Sequence, residues 1–103
     1  FYYYYYMSTI FIKPSKRKFK KFNAFSSDGL NVHFGDNRYN DYTQSKDKDK
    51  RSKYRRRHYK REDWTDENTA GFWSTYLLWN EPTLDESAQD IERILRRRVV
   101  LLL

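Results

Sequence analysis

Residues 19–34 read Phe19-Lys20-Lys21-Phe22-Asn23-Ala24-Phe25, then Ser26-Ser27-Asp28-Gly29, then Leu30-Asn31-Val32-His33-Phe34. The first run alternates imperfectly and reads as a strand. In the second, Leu30, Val32 and Phe34 share one face by the two-residue period, which leaves His33 on the other face, toward solvent. Asp28-Gly29 between them is the signal of a tight hairpin, because glycine accepts a positive φ. The fold starts from this hairpin.

Downstream, Gly35-Asp36-Asn37 marks a turn, and residues 39–43 lead into a long polar run. Thr43 or Asp47 can cap a helix that continues to about Tyr59. Its apolar face is thin: Tyr54, His58 and Tyr59. Such a helix must lean on neighbours through arginine and lysine stems, or meet a partner. Residues 62–66 read as a connection with Trp64 as its buried anchor. Thr69 can cap a helix over residues 71–79, where Phe72, Trp73, Tyr76, Leu77, Leu78 and Trp79 crowd together. The pairs Phe72/Tyr76 and Trp73/Leu77 stand four apart on adjacent stripes. This segment is apolar round most of its circumference and should form the buried centre. Asn80 and Pro82 end it. Thr83-Leu84-Asp85-Glu86 is a capping box, and Leu84, Ala88, Ile91 and Leu95 form one amphipathic stripe behind it.

These readings predict a single small α+β domain with charged tails. An N-terminal β-hairpin is followed by two or three short helices, with Phe34, Trp64, Phe72, Trp73, Leu77 and Ile91 in the core. The domain is expected over residues 13–95. Residues 1–12 are expected to be an N-terminal extension, with Met7 as the start and residues 1–6 set aside. Residues 96–103 are expected to be a C-terminal tail: three arginines, then five apolar residues, too few to hold a membrane alone, as a helix end that docks on the core or on a neighbour.

The composition bounds the function classes. A chain of 103 residues allows one domain. Charged residues make 34% and aromatics 19%. The first figure favours irregular, solvated flanks and the second an ordered core or a stacking surface. No cysteine is present, which removes disulfides, thiolate zinc sites and a cysteine nucleophile, and fits a reducing compartment. No apolar run approaches the roughly 20 residues that span a bilayer. The first residues lack the basic-then-apolar order of a secretory signal.

Charge is unevenly laid out. The net charge is +7. Residues 46–62 hold ten basic side chains: Lys46, Lys48, Lys50, Arg51, Lys53, Arg55, Arg56, Arg57, Lys60 and Arg61. The acids among them are Asp47, Asp49 and Glu62. A smaller basic cluster comprises Lys13, Lys16, Arg17, Lys18, Lys20 and Lys21. Residues 62–92 hold nine acids and neither lysine nor arginine. A dense basic helix can neutralise phosphates and release counterions without reading bases. Equally, basic and acidic faces on one small body can pair within the chain or between neighbours and set register. A charge run that is only solvated is the plainer alternative, but this density exceeds what solubility requires.

Residues with catalytic potential do not assemble into a known template. His33 and His58 are far apart without cysteine partners, so no zinc spacing emerges. Asp47 and Asp49 stand two apart, on different helix faces, between lysines that pair with them more simply than a divalent ion does. Asp63, Asp66 and Glu67 are the other acids that could hold such an ion, and they match no template. The serines lack an elbow motif, and three glycines form no phosphate loop. Trp64, Trp73 and Trp79 could stack on bases, but a chain this small needs them as core.

The order Phe34-Gly35, Asp41-Tyr42-Thr43, Lys48-Asp49, Tyr54, Arg57-His58, Glu62-Asp63-Trp64-Thr65, Thr69-Ala70-Gly71-Phe72-Trp73-Ser74, Leu77-Leu78-Trp79-Asn80, Pro82-Thr83, Ser87 and Ile91 resembles a family of proteins. Its members are small basic proteins of unknown function encoded by large double-stranded DNA viruses of algae and protists. The likeness covers about residues 18–95, and its specific part is the stretch from Thr69 to Asn80. Thr75 stands where the family often has a basic residue, so no role for that charge carries over. The resemblance implies a viral origin and supplies no catalytic residues. It implies a non-enzymatic virion structural protein, a minor capsid component that contacts neighbouring subunits through the basic helix and the acidic segment. The alternative is a sequence-independent DNA-binding or DNA-packaging protein. Either way the expected partners are other virion proteins or DNA phosphates, with no cofactor, metal or small-molecule substrate. The expected location is the virion, and the host cytoplasm or virus factory during assembly.

Overall fold

Four strands and four helical segments make up the fold in a computed structural model that describes residues 9–103. The expectations for Met7 and residues 1–6 lie outside the described residues. Three strands come first: β1 (Ile10–Pro14), β2 (Lys20–Ser26) and β3 (Asn31–Asp36) form an antiparallel meander. The last, β4 (Val99–Leu101), lies parallel to β1, so the sheet order is β3-β2-β1-β4.

The hairpin of β2 and β3 forms where the sequence places it. Its loop is one step longer than a two-residue turn. The Gly29 N–H donates to Ser26 O at 3.4 Å, and the Ser26 N–H to Leu30 O at 3.0 Å. Gly29 has φ 108°, the left-handed position that completes a three-residue loop.

Two expected boundaries are corrected. Residues 10–12 are not an extension: β1 is an interior strand, and Ile10 and Ile12 are fully buried. The tail is not a helix end: after α4 the chain turns at Arg96 (φ 53°) and enters β4. The Ile10 N–H donates to Arg98 O at 2.8 Å, and the Leu102 N–H to Ile12 O at 2.7 Å. Sequence pattern missed both because a buried strand of five residues and one of three leave too short a period to read.

Register places Val32, Ala24, Ile12 and Leu101 in one row across all four strands. With Phe34 and Ile10 they form the sheet's half of a single core. The helices supply the other half. Asp41 caps α1 (Tyr42–Ser45), where its side chain and that of Gln44 form a capping box. Lys46 in the left-handed conformation ends α1, and Asp47 caps α2 (Lys48–Tyr59). Of the two caps the sequence offered for this helix, Asp47 serves and Thr43 lies inside α1. Thr69 caps α3 (Ala70–Trp73), which continues as a π-helical turn over Ser74–Leu78. Thr83 caps α4 (Leu84–Leu95) by accepting from the Glu86 N–H at 3.2 Å.

Trp73 is the centre of the core. It is fully buried, 5.9 Å from the Phe34 ring, and its Nε1 donates to Glu67 O at 2.8 Å. Phe72, Leu77, Leu78, Ala88 and Ile91 surround it. Trp64 is a correction: it is half-buried and stays outside this cluster, edge-on to Tyr59 at 5.5 Å. The connection that carries it runs over the surface, so its ring stays partly exposed. The widened π turn buries Ser74, Thr75, Leu77 and Leu78 together. The radius of gyration, 13.2 Å, is that of one compact domain of this length.

Candidate functional site

The basic helix α2 divides into an inner and an outer face. Arg51, Tyr54, Arg55 and His58 recur at helical spacing and point inward, half-buried. The Arg51 Nη1 donates to Asn80 O at 2.8 Å, and the Arg55 Nη1 to Trp79 O at 2.9 Å. Both carbonyls lie just past the π turn, where helical carbonyls run out of partners and carry partial negative charge. The two guanidiniums also lie over rings, Arg51 4.7 Å from Tyr42 and Arg55 5.3 Å from Trp64. Burial pulls the Arg55 pKa below the usual guanidinium value. The rings of His58, Tyr54 and Trp79 form a column: His58 to Tyr54 is 4.0 Å and Tyr54 to Trp79 is 4.4 Å. Burial first, and then the Glu62 charge, push the Tyr54 hydroxyl up to about 12.

The outer face carries Lys48, Lys50, Lys53, Arg56 and Arg57, with Lys60 and Arg61 in the turn that follows, all exposed. None has a side-chain hydrogen bond or ion pair among the described residues. Lys46 differs: its ammonium is held by Thr43 O at 2.5 Å and by Pro82 O. The expected ten-residue basic surface therefore resolves into seven outward charges and three side chains that fasten the helix.

The acidic segment does not supply the partners of that outer face. Glu62 holds His58 at 3.1 Å and the Trp64 Nε1 at 3.1 Å. Glu67 meets Arg97 at 3.2 Å. Asp90 accepts from Asn80 Nδ2 at 2.9 Å and pairs with Arg93. Glu92 accepts from the Val99 N–H at 2.9 Å. Asp63 and Asp66 accept from backbone within their own turns. Asp85 and Glu86 are exposed in the first turn of α4.

Beside α2 lies a cleft of about 580 Å³, walled by the open end of the β2–β3 hairpin, by α2 and by α3. It gathers several residues of the family-like pattern: Gly35, Tyr54, Arg57, His58, Glu62, Gly71 and Trp79. Gly35 has φ 77°, and a Cβ there would come 2.8 Å from Leu78 Cδ1. Among the other pattern residues, Phe34, Tyr42, Phe72 and Trp73 are buried, and Asn80 bonds Asp90.

Sequence reasoning missed three partnerships here. Lys21, counted with the basic cluster, is drawn inward: its Nζ lies 2.5 Å from buried Asp41 and 2.7 Å from Gln44. The spacing Asp41 to Gln44, an acid and an amide three apart, was the available signal. Arg38 forms a two-pronged pair with Asp36, at 2.9 and 2.8 Å, which holds the Asp36 carboxyl down to about 2. His33, expected toward solvent, is half-buried with Nδ1 2.7 Å from Ser15 Oγ.

No helix among the described residues is long and apolar enough to cross a membrane. No curated protein and no solved structure matches the chain. Residues 11–58 match a family of unknown function (DUF5754), so the likeness runs from β1 through the basic helix and stops short of α3 and α4.

Proposed function

We propose that this chain is a non-enzymatic, sequence-independent nucleic-acid-binding protein, with the outer face of α2 as its phosphate grip. One observation supports this reading above the others. Five outward lysines and arginines, with Lys60 and Arg61 in the turn just after them, belong to a helix whose inward face is anchored by Arg51, Arg55 and the Tyr54 ring. A helix fastened through its inner side chains presents its outer charges at set positions over its solvent side, where a polyanion can meet them. The side chains face phosphates rather than base edges, so affinity should depend on salt and hardly on sequence. Packaged viral DNA is the partner that the family resemblance suggests.

The test is anisotropy of a labelled random-sequence duplex, titrated with the full chain at several salt concentrations. The expected result is a linear fall of log affinity with log salt, with a smaller slope in the triple variant Lys53→Glu/Arg56→Glu/Arg57→Glu. An unchanged affinity in that variant overturns the reading. Arg55 is left out of the set because its guanidinium is structural.

A second reading is a minor capsid component that meets neighbouring virion subunits. It is favoured by the exposed Asp85 and Glu86, which give the body an acidic pair in the first turn of α4. Absence of duplex binding, together with fixed stoichiometry in purified particles, would select it.

A further inference from the structure

At the mouth of the cleft, Phe19, Arg38 and Tyr39 form a ladder. The Arg38 guanidinium carbon lies 4.1 Å from the Phe19 ring centre and 5.9 Å from that of Tyr39. The bidentate pair with Asp36 fixes the guanidinium plane and cancels its charge. Both residues remain open to solvent, Phe19 by 42%, with the Lys18 ammonium 4.9 Å from its ring centre, and Tyr39 by 69%.

Two features mark Phe19 as more than a stray exposed ring. It has φ 66°, a left-handed conformation costly for a bulky side chain. It holds that conformation in a turn closed by the Lys20 N–H to Arg17 O at 3.2 Å, where glycine would serve without strain. The fold thus keeps a large apolar ring at a position whose backbone disfavours it and whose burial does not justify it.

Charge around the ladder is positive once internal pairs are set aside. Of the acids lining the cleft, Asp36 is held by Arg38, Asp41 by Lys21, and Glu62 by His58 and Trp64. Lys18, Lys20 and Arg57 line the same cleft without a carboxylate partner among the described residues. Arg57 also belongs to the outer face of α2, so the two surfaces are continuous.

We infer that this mouth takes unpaired bases of a single-stranded nucleic acid, stacked on the rings of Tyr39 and Phe19, with the adjoining phosphates on Lys18, Lys20 and Arg57. The inference rests on the phosphate-grip reading of α2 and specifies its substrate. Exposed rings interleaved with cations are what a strand with free bases can use. A duplex, whose bases are already paired and stacked, can use only the cations. The cleft volume is in the range of sites that hold a small organic group.

The test compares a labelled 20-nucleotide oligo-dT with a duplex of about the same length, using the full chain at one salt concentration. Single strand is expected to bind about tenfold tighter than duplex, the scale of one or two stacked bases. Phe19→Gly and Tyr39→Ala should each weaken single-strand binding about fivefold or more and leave duplex binding within about twofold. Phe19→Gly also relieves the left-handed backbone, so its melting temperature should hold or rise, which separates lost stacking from lost folding. Equal affinity for the two probes, or equal weakening of both in the variants, overturns the inference while the phosphate grip stands. Binding to neither probe removes both.

Discussion

Tyr54 and Trp79 stack face to face, with ring centres 4.4 Å apart and planes within 5°. The stack joins the basic helix to the end of the π turn, and it does so where α2 has no aliphatic side chain to offer. Helix α2 buries no residue fully. Its attachment therefore depends on one aromatic column and two guanidiniums, in place of the apolar stripe that holds α4.

That dependence sets the first prediction. Trp79→Ala should destabilise the fold by about 2 kcal/mol, from lost ring burial and lost stacking. Tyr54→Ala should cost a similar amount. The double variant should cost about 1 kcal/mol less than the sum, because the stack can be lost only once. Urea unfolding of the three variants measures this, and strict additivity would show that the rings do not interact.

Gly71 provides the second. A Cβ built there would stand 2.9 Å from Glu62 Cδ and 3.1 Å from Glu62 Cβ. Gly71→Ala should therefore displace Glu62 from His58 and Trp64, and lower stability by about 1 kcal/mol. In a Glu62→Gly background, which removes the Cβ as well as the carboxyl, the obstacle is gone. There the same substitution should stabilise by about 0.5–1 kcal/mol, through helix propensity and a less flexible unfolded chain. Thermal melts of the four proteins decide it: the sign of the Gly71→Ala effect must reverse.

The two faces of α2 should separate by variant. Arg55→Ala leaves Trp79 O unpaired and uncovers the Trp64 ring, and should cost about 1–2 kcal/mol. Arg56→Ala, one position away and exposed, should stay within about 0.5 kcal/mol. On a duplex the order inverts for the salt slope, which should fall by about one for each outward cation removed. Chemical unfolding and salt-dependent anisotropy on the same two proteins give both readouts.

The fourth prediction concerns pH. Burial first, then the charges of Arg17, Lys13 and Lys20, hold the His33 ring below its usual value of 6.5. The folded chain then binds fewer protons than the unfolded one between the two values. Stability is full above 6.5 and declines as pH falls through the lower, folded value. Melting temperature should drop between about pH 7 and pH 5, and His33→Gln should flatten part of that drop. An equally steep profile in the variant would remove His33 as a cause.

Much of this architecture was legible locally. The β2–β3 hairpin, the Thr69 and Thr83 caps, the α4 stripe and the buried Phe72–Leu78 segment each depend on residues within a few positions of one another. Capping hydrogen bonds and side-chain periods act over that range, so the sequence by itself determined these elements, their α+β class and the density of charge on α2. The places of β1 and β4 required partners far along the chain: Ile12 earns its burial only between Ala24 and Leu101. The same holds for the site. Sequence counted ten cations on the basic stretch, but only packing decided that Arg51 and Arg55 turn inward to carbonyls of residues 80 and 79. Only packing set Phe19, Arg38 and Tyr39 side by side at the end of the hairpin. Charge and periodicity are properties of a segment, whereas the direction of a side chain on a polar helix is chosen by whichever distant group satisfies it.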